Sequence, residues 1–472
     1  MEKELLLFQI GPVQEFIAQA ETLGDLRVGS ELLSGVTAAA LRTIPDYETE
    51  AVFPAVEKDE LDGIPNRFLV FVPAGRGEEL ARQAAEAARA ALLRIAAEAF
   101  PKTELPENCR AAYRQQVEAF LQTTWAVLKS PCGKMGTDYR TIGMLMALRR
   151  NVRAFDAWHE EATGCVKDFL SGKEFALDIN LNGAENRTSG RGAMNLIKKA
   201  LWTEEEKKEK EDKTDKLGDY IAVIALDGDH MGGKLSGFRT QEEHRAFSKK
   251  LAAFARSVSI TFARSVSIPK ELGQLIYAGG DDVLAVVKAK QAISIARKWA
   301  KLFAETVKVD GITASVGIAI GSSKAPLQDL VHEAHAAESR AKRVYGRDAL
   351  AVSVVKRSGE ILHWGCKWNS KAFDIYQSLA ENTKGDFSRF AYKLAGFLAP
   401  YGLDDCRELD AEMRKVIWAE TQHVIEQTEG AKDVLSDEVL QDYLNEPSVG
   451  THPADYLGLF LCEAFIDRPR GE

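Results

Sequence analysis

The strongest constraint in this chain is a pair of acidic clusters, each set flush against an apolar strand. Tyr220 to Leu226 (YIAVIAL) carries no charge, reads as a strand buried on both faces, and runs straight into Asp227-Gly228-Asp229. Further along, Gln274 to Ala278 and Val283 to Val287 are short apolar strands joined by Gly279-Gly280-Asp281-Asp282, the composition of a tight β-hairpin. Helical patterns fill the intervals, from Gln241 to Arg264, Ala289 to Val307 and Leu327 to Tyr345. Two more strands are expected at Thr313 to Ile320 and Ala349 to Val355. The order β-α-β-β-α-β predicts a ferredoxin-like sheet covered by helices, with the first strand and the hairpin side by side at its centre.

In that arrangement Asp227, Asp281 and Asp282 converge at one sheet edge, with Gly228 and Asp229 beside them. Gathered carboxylates repel one another unless cations neutralise them, and hard oxygen donors favour Mg²⁺ or Mn²⁺ bound together with substrate phosphates. Two such ions can activate a 3′-hydroxyl and steady a pyrophosphate leaving group during in-line displacement. Gly279 and Gly280 suit positive φ in the turn and close approach of backbone to phosphate. Gly232-Gly233, after Met231, are expected to open a loop whose amides cradle phosphates, and Lys342 to reach a triphosphate as a point charge. Either acidic cluster alone is an ordinary turn or loop; the pairing on one sheet points to metal chemistry. His332 and His335 do not match H-E-x-x-H and are not expected to bind metal.

The whole chain reads as α+β in four parts. Residues 1–100 hold a strand from Glu4 to Ile10 stopped by Gly11-Pro12, helical patterns from Val13 and from Ser30 to Leu41, a strand at Arg67 to Val72, and an alanine-rich helix from Gly77 to Phe100. This is the start of a second ferredoxin-like unit. It has Gly11-Pro12-Val13 where the other has Asp227-Gly228-Asp229, and nothing near Phe71 to Gly75 matches the Asp pair, so it cannot hold the metals. Residues 101–216 are expected to be mostly helical, with patches at Tyr113 to Leu128 and Met144 to Trp158, a loop at Asn180 to Arg191, and a charged run from Glu204 to Lys216 that reads as a solvated linker. Residues 217–356 form the acidic unit, and 357–472 read as an almost wholly helical bundle.

No apolar stretch is long enough to span a bilayer, the N-terminus does not resemble a signal peptide, and the six cysteines form no C-x-x-C pair. A cytoplasmic protein with no membrane contact is expected, with Cys132 and Cys165 as inert buried thiols and no zinc. The net charge of −9 argues against a broad basic surface for duplex DNA, yet leaves room for a phosphate ligand approached through metal ions.

With these residues in view, the chain resembles, along nearly its whole length, the large polymerase-cyclase subunit of type III CRISPR effector complexes, of the Cmr type. The markers in the first unit are Ile10-Gly11-Pro12-Val13-Gln14-Glu15-Phe16-Ile17 and Gly29-Ser30-Glu31-Leu32-Leu33-Ser34. In the second they are Leu226-Asp227-Gly228-Asp229-His230-Met231-Gly232, Tyr277-Ala278-Gly279-Gly280-Asp281-Asp282, Ser315-Val316-Gly317-Ile318-Ala319, Ala341-Lys342 and Gly346-Arg347-Asp348-Ala349-Leu350. Broader relatives are GGDEF-type nucleotide cyclases and palm polymerases. The resemblance implies two palm domains that together bind two ATP molecules, with other effector subunits, a guide RNA and a target RNA as partners. Bound target RNA would switch on synthesis of cyclic oligoadenylate, a second messenger. By position Asp227, Asp281 and Asp282 are similar to the metal-binding catalytic residues, with Asp229 beside them, and Lys342 matches the triphosphate lysine. Ser30 and Ser248 sit where members read adenine. Partner subunits are expected to supply most basic contacts to the RNA, because this chain lacks a surplus of lysine and arginine.

The sequence departs from that pattern in three ways. It contains no His-Asp dipeptide, so the nuclease activity of the HD domain is not expected. It lacks the cysteine-rich zinc element of many members. Members without the HD domain can also resemble enzymes that join AMP to S-adenosylmethionine, which leaves the acceptor open. The segment Gly11 to Ser34, with Glu15, Glu21, Asp25 and Glu31 against Arg27, does not decide it. Two rival readings are a catalytically silent scaffold subunit and a free-standing GTP cyclase that needs no RNA.

Overall fold

Alternating and continuous apolar runs build two sheets in the computed structural model, which describes residues 2–56, 61, 63–152, 166–178, 190–204, 206–207, 217–264, 273–382, 387–403, 408–428 and 436–466. The first sheet contains β1 (Lys3–Gly11), β2 (Ala51–Phe53), β3 (Arg67–Pro73) and β4 (Gln122–Leu128), in the order β2-β3-β1-β4. All its pairings are antiparallel. Along β1, Leu6, Phe8 and Ile10 face the helices Leu23–Leu41 and Gly77–Ala99, while Leu5 faces the helix Met135–Asn151 on the other side. Alternation at period two puts one set of side chains into each layer.

β4 corrects the sequence reading, which carried helix through Leu128. Thr123, Thr124, Trp125 and Val127 favour a pleated strand, and the segment pairs with β1 from Leu5↔Leu128 to Gly11↔Gln122. The first sheet is therefore completed beyond residue 100, and the next helix starts earlier than expected, at Met135. The charged run is anchored at its beginning: Glu206 accepts two hydrogen bonds from Arg27, at 2.7 and 2.8 Å, on the helix Leu23–Leu41. Most of the expected loop at 180–191, the far end of the helical patch that ran to Trp158, Cys165 and most of the charged run lie outside the described residues.

The second sheet has β5 (Tyr220–Gly228), β6 (Gly273–Gly279), β7 (Asp282–Lys288), β8 (Ala314–Ser322), β9 (Ala349–Val355) and β10 (Ile361–Lys367), in the order β10-β9-β8-β5-β7-β6. As the sequence suggests, β5 lies between β7 and β8, antiparallel to both. Helices Gln241–Arg264 and Ala292–Val307 cover one face through Phe254, Trp299 and Phe303. The crossover helix Leu327–Arg343, which joins the parallel strands β8 and β9, lies on the other face. β10 is a second correction, since the chain beyond Lys356 is not wholly helical. Alternate residues Leu362, Trp364 and Cys366 are buried, and the strand pairs with β9 beneath the helix Ala454–Ile466.

The result is an α+β fold with two sheet-bearing domains plus helical regions. Both sheets use one connectivity: β1, helix, β2, β3, helix, β4 in one, and β5, helix, β6, β7, helix, β8 in the other, each with its first strand central. They share a core in which the helix Leu23–Leu41 packs over β6. Among the described residues no helix is long and apolar enough to cross a membrane.

Candidate active site at the acidic hairpin

Register places the acids. Leu226 pairs with Val283 on β7, so the end of β5 comes level with the start of β7. Gly279 pairs with Asp282, leaving Gly280-Asp281 as a two-residue loop in which Gly280 has φ +74, the sign preferred at the first position of a type II′ hairpin. Gly279, also expected to need positive φ, does not adopt it. Gly228 is required by close approach: a Cβ there would lie 2.9 Å from Asp281 Cβ and 3.1 Å from Met231 Cγ and Sδ. The turn thus sits directly against the strand end.

Three carboxylates share one field. Burial first, and then Asp227, push Asp281 up to about 6. Burial, Asp227 and Asp281 together hold Asp282 well above the usual carboxylate range. Tyr277 donates from its hydroxyl to both oxygens of Asp282, at 3.2 Å each. Lys342 makes an ion pair with Asp227 and another, at 2.7 Å, with Glu338. Burial alone would lower the Lys342 pKa, but these two carboxylates outweigh it and raise it. Glu338 is missing from the sequence reading, although its spacing one helical turn before Lys342 is a legible i,i+4 pair. Among the described residues no group of three or more His, Cys, Asp and Glu side chains is arranged to hold a metal ion. Asp227 is turned onto the ammonium instead.

Asp229, expected beside the metal ligands, has its own set of donors in this structure. It is fully buried and accepts from Thr313 Oγ1 and Ser315 Oγ at 2.8 Å and from the Asp348 N–H at 3.0 Å, so its oxygens are spent on β8 and the loop before β9. Gly232 and Gly233 lie in the short helix Met231–Gly237, so they form no open phosphate loop. Ser248 is buried and accepts the Ala55 N–H at 2.8 Å, tying the two units together away from the cavity described next. Cys132 is exposed, contrary to expectation.

A cavity of about 2000 Å³ opens between the units. Gly11 to Glu15 and Ser30 line it from the first unit, and Tyr277, Gly279 and Asp282 from the second. Ser34, one turn after Ser30, also lines it, and its buried Oγ has no partner among the described residues. Sequence reasoning gave a role to Ser30 but none to Ser34, which closes the same Gly29–Ser34 marker.

Family models match both units: "Cas10/Cmr2, second palm domain" over residues 220–351 and "CRISPR-associated protein Cmr2, N-terminal" over residues 5–97. The chain belongs to the Cas10/Cmr2 family. It is 29% identical over 265 residues to the CRISPR system Cmr subunit Cmr2 of Pyrococcus furiosus, covering 46% of this chain and 30% of that protein. It is 26% identical over 194 residues to the single-strand-specific deoxyribonuclease Cas10/Csm1 (subtype III-A) of Streptococcus thermophilus, covering 38% of this chain and 24% of that protein. The matches thus span less than a third of these curated Cas10/Cmr2 relatives. In fold, the chain is similar to a type III-B Cmr-beta structure in the apo state (TM-score 0.65, 10% identity, covering 98% of this chain and 81% of that one). It is also similar to a Csm1-Csm4 cassette in complex with cA4 (TM-score 0.56, 14% identity, covering 98% and 70%).

Proposed function

We propose that this chain is the nucleotidyltransferase subunit of a type III CRISPR RNA-guided complex and, once target RNA is bound, converts ATP into cyclic oligoadenylate. A ribose 3′-hydroxyl of one ATP attacks the α-phosphorus of another, and pyrophosphate leaves. The observation that carries this reading is the meeting of Asp227, Asp281 and Asp282 at a sheet edge beside a cavity closed by a unit that lacks such acids. The shared β-α-β-β-α-β order supports two ferredoxin-like palms of the GGDEF and polymerase kind. Fold-related cassettes bound to cA4, pppApA and AMPPNP support a nucleotide ligand.

The donor set is all carboxylate oxygen, which fits Mg²⁺ or Mn²⁺, and Asp227, Asp281 and Asp282 would hold it. When bound, two such ions supply charge neutralisation and electrophilic activation at the phosphoryl group. The protein's own groups prepare the site: Tyr277 orients Asp282, Gly228 admits the turn, and Lys342 stands ready to exchange Asp227 for a phosphate. Glu15 and Glu31 are paired with Lys173 and Arg27, whereas Arg42, Arg89 and Arg150 line the cavity with no ion-pair partner among the described residues. That surplus of positive charge supports a triphosphate tail over a sulfonium in the acceptor position.

The test is mass spectrometry of products from the assembled complex given ATP, Mg²⁺ or Mn²⁺ and complementary RNA. Replacing Asp281 and Asp282 together by Ala should remove product by several orders of magnitude while assembly persists. Wild-type rates from that variant would refute the assignment. Product that forms only with added S-adenosylmethionine would move the acceptor to the AMP-adduct class, and no product under any condition would favour a scaffold.

A further inference from the structure

A lysine is fully buried where the chain between the two units meets the first of them. Lys198, on the helix Ala193–Ala200, has no exposed surface. Its Nζ donates to the carbonyls of Phe16, at 2.5 Å, and Gln19, at 2.7 Å, and lies 4.0 Å from the centroid of the Phe16 ring. Both carbonyls stand at the end of the helix Gln14–Ala18, where the last carbonyls have no amide of their own helix to accept from. The lysine stem also packs on the helix Leu23–Leu41: a Cβ on Gly29 would lie 3.0 Å from Lys198 Cε and 3.4 Å from Nζ. One side chain thus touches both helices, and both carry residues of the cavity wall, Gln14 on the first and Ser30, directly after Gly29, on the second. Among the described residues no carboxylate makes an ion pair with Lys198, so main chain and ring alone fix its amine.

We propose that Lys198 is a positioning residue for nucleotide binding at the palm without acids: from the segment between the palms it ties the end of the helix Gln14–Ala18 to Gly29, and so sets Gln14 and Ser30 at the cavity wall. The inference rests on the function proposed above. Taking an amine out of water is costly, and two carbonyls and a ring face offset that cost only while lysine and backbone keep one geometry. Such a group fixes a conformation more than it adds stability. Neighbouring links hold the same segment against the same helices. Lys173 pairs with Glu15 at 2.5 Å on the first, while Trp202 Nε1 donates to Asp25 at 3.0 Å and Glu206 takes Arg27 at 2.7 Å on the second. Those links each reach one helix; Lys198 joins the two, at the buried centre of the clasp.

Two measurements test it. In the assembled complex with Mg²⁺, calorimetric titration with AMPPNP should resolve two sites in the wild type. K198M keeps the stem and removes the donor, leaving two buried carbonyls unpaired; it should weaken one site roughly tenfold and leave the other within about twofold. Gly29→Ala should weaken the same site, and the double variant should lose no more than K198M alone, because both act through one contact. Hydrogen exchange read by mass spectrometry should speed up across residues 14–34 in K198M and stay unchanged across residues 220–228. Should K198M not assemble, Gly29→Ala carries the same readouts. Equal weakening of both sites, or of neither, overturns the positioning role. Additive losses or unchanged exchange overturn the contact itself. If the wild-type complex binds no nucleotide, the proposed function fails and the exchange measurement alone decides this inference.

Discussion

Gly228→Ala is the sharpest probe of the site, because the structure sets what the added methyl group meets. Carbon atoms pack best at about 3.5–4.0 Å, so a Cβ placed 2.9 Å from Asp281 Cβ overlaps by more than half an ångström. The Met231 side chain can swing away; Asp281 Cβ is fixed to a two-residue turn and cannot. The turn must therefore move or the strand end must bend. Overpacking of this kind costs about 1–3 kcal/mol. The larger effect falls on chemistry, since displacing a catalytic group by about 1 Å can lower the rate roughly a hundredfold. Thermal unfolding of the purified chain and product formation by the assembled complex read the two effects separately. Gly232→Ala is the control: it lies in a helix, a Cβ there meets nothing within 4 Å, and the gain from replacing a helical glycine is about 0.5–1 kcal/mol. If Gly228→Ala matches wild type in both assays while the control behaves as stated, the acidic turn does not rest on the end of β5 and the site has been misplaced.

Asp281→Asn should stabilise the chain by about 3 kcal/mol at pH 7.5 while removing activity, because burial and Asp227 push this carboxyl up to about 6 and the folded state resists its ionisation. The gain should shrink towards pH 4 in denaturant titrations, and an equal gain at both pH values would contradict the cause. Lys342→Met leaves Asp227 and Glu338 facing each other without a cation, so a loss of about 1–2 kcal/mol and a raised KM for ATP are expected from melting and steady-state kinetics. Asp455 is pushed up to about 7 by burial, which the Tyr345 hydroxyl bond at 2.8 Å only partly opposes. Its neutral form contributes stability that is complete below about pH 4 and lost as pH rises through 7, so Asp455→Asn should flatten the stability profile between about pH 4 and 7, by up to about 4 kcal/mol. An unchanged slope would sink that account.

What the sequence revealed follows from how each element is buried. β5, β7 and β8 are apolar on both faces, so they read as strands without knowledge of their neighbours. β4 follows a helix and is only half covered, and β10 alternates among polar residues, so neither makes a continuous apolar run. Asp227 and Asp229 look equivalent as text. The strand ends at Gly228 and the chain turns at His230, with φ +58, and what separates the two is their partners: Lys342 takes Asp227, while the hydroxyls of Thr313 and Ser315 take Asp229. Ser248 looked like a ligand contact because its position on the helix was right, but the partner of its hydroxyl, Ala55, is a property of how the units dock.

The shared connectivity gives the Gly11-Pro12 end of β1 a physical meaning. In the second sheet the end of β5 brings Asp227 level with the acidic turn, where it already raises the cost of ionising Asp281. Each like charge added within a few ångströms would raise that cost further. The first sheet instead ends its central strand at Gly11-Pro12, which lines the cavity without adding charge to it.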